Sequence, residues 1–132
     1  MKITICASMT FSQHIAQVAS QLERMGHQVY LPEPLEGPTA GFDGQEAARR
    51  KIRHDLIRRH WEKIKESEAI LVLNYEKDGV PNYVGGNSFL EMGFAHVLSK
   101  KIYLLHDVPD MSYRSEMLAM RPVILGGDLD RL

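Results

Sequence analysis

The chain predicts an α/β domain built on a doubly wound, five-stranded parallel sheet. Three observations carry that expectation. Apolar, β-rich runs at Lys2 to Ala7, His27 to Leu31, Ala69 to Leu73, Lys101 to Leu105 and Arg121 to Leu125 alternate with stretches of helical pattern. The third run, Ala-Ile-Leu-Val-Leu, is apolar at every position, as a central parallel strand covered on both faces requires. A length of 132 residues suits one domain, 1–132, and leaves little room for a second.

Composition narrows the function classes. The chain is 44% hydrophobic and 25% charged, ordinary for a globular protein. A formal net charge of −1 gives no electrostatic case for nucleic acid or a membrane surface as partner. Cys6 is the single cysteine, so no internal disulfide forms, and its apolar neighbours predict a buried core residue. The opening Met-Lys-Ile-Thr-Ile-Cys-Ala run is too short for a secretory signal, and no run approaches the roughly 18 residues of a membrane span. A cytoplasmic protein is expected. None of the histidines stands in a metal-ligand spacing, so no metal site is expected.

Taken in order, Lys2 to Ala7 is a buried first strand bounded by Ser8. Ser12 is expected to cap a helix running to about Met25, with Ile15, Val18, Ala19 and Leu22 as its apolar stripe and Gly26 as a left-handed stop. His27 to Leu31 is a second strand, ended by Pro32 and Pro34. Glu33 to Gly44 is rich in Pro and Gly, a long loop of the kind that often acts as a lid. Gln45 to about Ser67 predicts the longest helix, with Ala48, Ile52, Leu56, Trp61 and Ile64 apolar. Its Arg49, Arg50, Lys51, Arg53, Arg58 and Arg59 read as a solvated face balanced by Asp55, Glu62, Glu66 and Glu68, or as a source of one arginine for an anionic ligand.

Asn74 ends the third strand, and Tyr75 to Asn87 is a polar loop. A helix from Ser88 to about Ser99, a fourth strand, a short helix from Tyr113 to Met120 and a fifth strand follow, then a turn at Gly126-Gly127-Asp128. For this size the expected strand order is the flavodoxin-like 2-1-3-4-5, with ligands outside the carboxyl ends of the first and third strands. That topology brings Ser8–Ser12 and Asn74–Glu91 to one crevice.

The first of these segments offers the hydroxyls of Ser8, Thr10 and Ser12 beside a helix start, which suits an anion. Capping by Ser12 and a turn at Ser8 explain part of the same pattern. No Gly-x-Gly-x-x-Gly and no Walker lysine are present, which disfavours dinucleotides and nucleoside triphosphate hydrolysis. Gly85-Gly86 permits close backbone approach, and Asn87 and Ser88 offer hydrogen bonds. Glu91 stands three residues after Ser88, so it reads either as half of a capping box or as a carboxylate at a ligand site.

Ala69-Ile70-Leu71-Val72-Leu73-Asn74, then Gly86-Asn87-Ser88-Phe89-Leu90-Glu91-Met92-Gly93-Phe94-Ala95, then Lys100-Lys101-Ile102-Tyr103-Leu104-Leu105 resembles the nucleoside 2-deoxyribosyltransferase superfamily across roughly half the chain. That superfamily includes N-glycosidases of nucleoside 5′-monophosphates. The resemblance implies that Glu91 is the nucleophile at C1′ of the sugar, captured as a glycosyl ester before a second base or water takes the sugar. It also implies that Ser8, Thr10 and Ser88 bind sugar hydroxyls or a 5′-phosphate, with Gly86, Asn87 and Asn74 near the substrate. Phe11 and Trp61 are candidates to stack on the base, with core packing as the alternative. No cofactor is implied, and a homodimer or higher homo-oligomer is. The family's Asp-x-Gly-Thr-like segment reads Gly85-Gly86-Asn87-Ser88 here, without an acid. A non-catalytic nucleotide-binding or sensing module is therefore the second expectation.

Overall fold

Parallel pairing organises the chain in a computed structural model that describes residues 1–32 and 44–132, with the backbone alone at 47, 50, 51, 53 and 54. The strands β1 (Lys2–Cys6), β2 (Gln28–Tyr30), β3 (Ala69–Val72), β4 (Lys101–Leu104) and β5 (Val123–Ile124) form one parallel sheet in the order β2-β1-β3-β4-β5. This is the flavodoxin-like order expected from the sequence. The helices are α1 (Ser12–Arg24), α2 (Gly44–His54), α3 (Leu56–Glu66), α4 (Gly86–Val97) and α5 (Arg114–Ala119).

Strand alternation divides the core into two layers. On one face Ile3 and Ile5 of β1 meet Ile15, Val18, Ala19 and Leu22 of α1, the stripe read from sequence. On the other, Cys6 joins Ile70, Val72, Ile102 and Leu104 against Ile64 of α3, Met92 and Ala95 of α4 and Met117 of α5. All of β3 is buried. Its Ile70, Leu71 and Val72 side chains each contribute about 1.5–3 kcal/mol on leaving water. Among the described residues, no helix is long and apolar enough to cross a membrane.

Three element expectations change. Ser12 is the first residue of α1 and not its cap; a 3-10 turn, Met9–Phe11, precedes it, and Ser8 caps that turn by accepting from the Thr10 amide. The long helix is interrupted at Asp55, whose φ of 50° is left-handed, so α2 and α3 are separate. Aspartate tolerates that conformation better than most residues, so periodicity alone could not reveal the break. Helix α4 begins at Gly86 with Gly85 as its cap, which puts Ser88 inside the helix and removes the capping box. The loop expected over Glu33 to Gly44 falls, apart from Gly44, outside the described residues.

Candidate active site

The carboxyl ends of β1 and β3 open beneath a cleft of about 790 Å³, a size that accommodates a small-molecule ligand. One wall is the turn leaving β1. There the Ser8 hydroxyl accepts from the Thr10 amide at 3.3 Å and donates to the Thr10 hydroxyl at 3.0 Å. The opposite wall is the loop after β3. Asp78 and Gly79 both hold positive φ, at 52° and 80°, and close a two-residue turn in which Lys77 and Val80 exchange backbone hydrogen bonds. That turn delivers the Lys77 ammonium to Ser8, 3.1 Å from its hydroxyl oxygen, and over the Tyr83 ring at 5.3 Å.

Tyr83 also explains the glycine at the start of α4. A Cβ on Gly85 would lie 3.1 Å from the Tyr83 ring, so the aromatic packs where a side chain would stand. From there α4 turns Met92 and Ala95 into the core and presents Asn87, Ser88 and Glu91 to the cleft. Facing Glu91 is α3. Its His60 and Ile64 are four residues apart and share the inward face; Ile64 enters the core and His60 stops at the cleft wall.

The Glu91 side chain is 16% exposed, and its Oε2 lies 3.1 Å from His60 Nε2. The imidazole also contacts the Cys6 thiol, with Sγ 3.5 Å from the same nitrogen. Among the described residues, Glu91 Oε2 is the buried side-chain polar atom left without a hydrogen bond. Burial first, and then the adjacent Glu91 carboxylate, hold the Cys6 thiol well above its ordinary range. It is neutral at physiological pH and no nucleophile.

Ser8, Thr10, Gly86, Asn87, Ser88 and Glu91 thus share one cleft, as the sequence led us to expect. Phe11, Trp61 and Asn74 are not among its lining residues. Phe11 packs edge-on against Tyr75 at 5.2 Å and near His14 at 6.4 Å. Trp61 follows His60 by one position, which turns it about 100° around a helix, and Lys65 lies over its ring at 4.5 Å. Asn74 is fully buried. Its amide donates to the His106 and Asp107 carbonyls, both at 3.0 Å, and its oxygen accepts from the His106 N–H at 2.9 Å, tying the ends of β3 and β4 together. Of the basic residues on α2 and α3, Arg49 bonds Gln45 and Arg58 pairs with Asp55, both at exposed positions, while the side chains of 50, 51 and 53 are outside those described.

Among the polar residues on the cleft wall, Lys77, Asp78 and Tyr83 lie in the segment expected at the crevice without being singled out, and His60 was not expected there. Asp78-Gly79 carried a usable signal as a turn dipeptide. His60 carried a weaker one, a histidine four positions before an apolar stripe residue.

No family model matches the chain, and no curated protein sequence does. Solved structures do. The chain superposes on a 2-deoxyribosyltransferase from the psychrotolerant bacterium Bacillus psychrosaccharolyticus with a TM-score of 0.55 and 19% identity, covering 79% of this chain and 71% of that one. It superposes on the CMP N-glycosidase BcmB of Clostridium botulinum with a TM-score of 0.52 and 16% identity, covering 94% and 85%. At these identities the likeness is one of fold.

Proposed function

We propose that the chain cleaves or transfers at the N-glycosidic bond of a nucleoside, a deoxynucleoside or a 5′-monophosphate of either, with Glu91 as nucleophile. The observation that carries this reading is a mostly buried carboxylate on the wall of a cleft at the switch point of the sheet. Two proteins of the same fold, by their names, act on deoxyribosyl or CMP N-glycosidic bonds, which supports the same bond class here. In the proposed reaction a Glu91 oxygen attacks C1′, the C1′–N bond breaks, and the base departs with the electron pair and takes up a proton. Water or an acceptor base then displaces Glu91 from the glycosyl ester.

Asp78 is the only other carboxyl on the described cleft wall, and we assign it to the departing base, the task for which 85–88 supply no acid. Lys77, Ser8 and Thr10 form the anion-binding end and favour a 5′-monophosphate over a free nucleoside. Phe11, Trp61 and Asn74, which are not among the cleft-lining residues, do not touch the substrate in this reading. The protein works in the cytoplasm as a homo-oligomer joined through α4.

A non-catalytic nucleotide-binding or sensing module is the second reading, favoured by the acid-free segment Gly85-Gly86-Asn87-Ser88. Chromatography of the protein incubated with nucleosides and nucleoside monophosphates separates the two. Free base without an acceptor identifies a hydrolase, and base exchange with one identifies a transferase. Calorimetric binding of a nucleotide with neither product removes the enzymatic reading.

A further inference from the structure

We propose that Cys6, His60 and Glu91 form a binding site for one thiophilic divalent cation of the Zn²⁺ class, with its remaining coordination position open to the cleft. The three side chains come from β1, α3 and α4, and their Sγ, Nε2 and carboxylate oxygen lie within 4.8 Å of one another. Spacing rules miss such a set because no two of its ligands are neighbours in sequence.

The distances fit a shared ion. Tetrahedral zinc, with bonds of about 2.3 Å to sulfur and about 2.0–2.2 Å to nitrogen and oxygen, separates N from O by about 3.3 Å and S from N by about 3.6 Å. The corresponding separations here are 3.1 Å and 3.5 Å. His60 is thus spaced as a ligand from both of its partners, and the third pair, sulfur and carboxylate oxygen, lies within 4.8 Å.

A hydrogen-bonded cluster accounts for the same groups less completely. Oε2 of Glu91 is buried beside a histidine nitrogen and still lacks a hydrogen bond, although buried polar atoms nearly always have one. A cation between the three atoms would satisfy that oxygen. One sulfur, one imidazole and one carboxylate select zinc-like ions over Mg²⁺ and Ca²⁺, which take oxygen ligands. His60 and Glu91 line the cleft, whereas Cys6 is fully buried behind them, so entry and the fourth ligand both come from the cleft side. Coordination releases the thiol proton to solvent.

The site stands on geometry. One consequence rests on the proposed role of Glu91: an ion on Oε2 draws negative charge from the whole carboxylate and makes it a poorer nucleophile at C1′, so the loaded protein turns over substrate more slowly than the metal-free one.

The test uses the full chain, stripped of metal and titrated with Zn²⁺ against a chromophoric chelator, and with Co²⁺ by absorption. One Zn²⁺ per chain is expected, and Co²⁺ should give a thiolate-to-cobalt charge-transfer band. Cys6→Ser should abolish the band, and both Cys6→Ser and His60→Gln should weaken Zn²⁺ by more than the about 10- to 100-fold that an outer-shell change brings. A wild-type Co²⁺ spectrum without the band overturns the site, whether or not the variants fold. Zinc bound as expected that leaves glycosidic turnover intact places the ion off Glu91 and overturns the assignment. Zinc bound as expected to a metal-free protein that releases no base leaves the site standing and removes the enzymatic reading instead.

Discussion

Glu91 sits where stability and the proposed chemistry conflict. A carboxylate that is mostly out of water, with one oxygen lacking a hydrogen bond, costs folding free energy, so its side chain is poorly chosen for structure alone. Glu91→Gln keeps the shape and removes the charge. We expect turnover to fall on the order of 10³-fold or more, while thermal unfolding shows a midpoint equal to or above wild type. A variant that unfolds early while retaining turnover would return Glu91 to a structural role. Asn74 is the opposite case. Its amide satisfies three backbone groups at the ends of β3 and β4, so Asn74→Ala should cost about 2–4 kcal/mol in denaturant unfolding. At this scale the sequence singles out Glu91 by helix position and motif resemblance, and the structure puts that residue on the cleft wall. The sequence was silent about Cys6 and His60, whose meeting joins residues 54 apart and exists only after the sheet forms.

Among the elements, those with a strong local period were legible and those set by tertiary contacts were not. The α1 stripe and the apolar β3 run are one-dimensional signals, and both stand in the structure as read. The break at Asp55 is a single left-handed residue within a helical pattern, and the helix α3 that follows carries His60 to the cleft. The Lys77–Val80 turn is similar: its Asp-Gly pair is visible in sequence, but its contact with Ser8 spans 69 residues. This turn supplies the cation of the proposed phosphate end. Lys77→Met should raise KM for a nucleoside 5′-monophosphate by about tenfold or more, the loss of roughly 1.5–3 kcal/mol from one charged hydrogen bond. The free nucleoside should be nearly unaffected, since it presents no anion to Lys77. Equal losses for both substrates would mean that Lys77 shapes the turn and does not bind phosphate.

For the whole molecule, order β2-β1-β3-β4-β5 decides where the cleft is, and the outer face of α4 is where the proposed self-association would cover it. Met92 of that helix is spent on the core, but Val97 is 81% exposed and Leu90 42%, with Phe94 half-buried between them. Positions 90, 94 and 97 fall on one stripe of a helix. Scattered exposed apolar residues are ordinary, whereas an aligned set beside the cleft is the kind of surface the proposed self-association would use. Leu90 and Phe94 also line the cleft, so a second copy seated on this stripe would shelter Glu91 from water. Sedimentation velocity should show the wild type as a dimer or larger and Val97→Asp as a monomer, because a buried, unpaired carboxylate costs several kcal/mol at an interface. Val97 lies nearly two turns beyond Glu91 at the far end of α4, outside the cleft lining, so a direct effect of the substitution on chemistry is not expected. Turnover that falls with dissociation and returns at high protein concentration would identify the partner's contribution to the site. A wild-type chain that sediments as a monomer at all concentrations would leave the stripe without that role and the cleft complete within one chain.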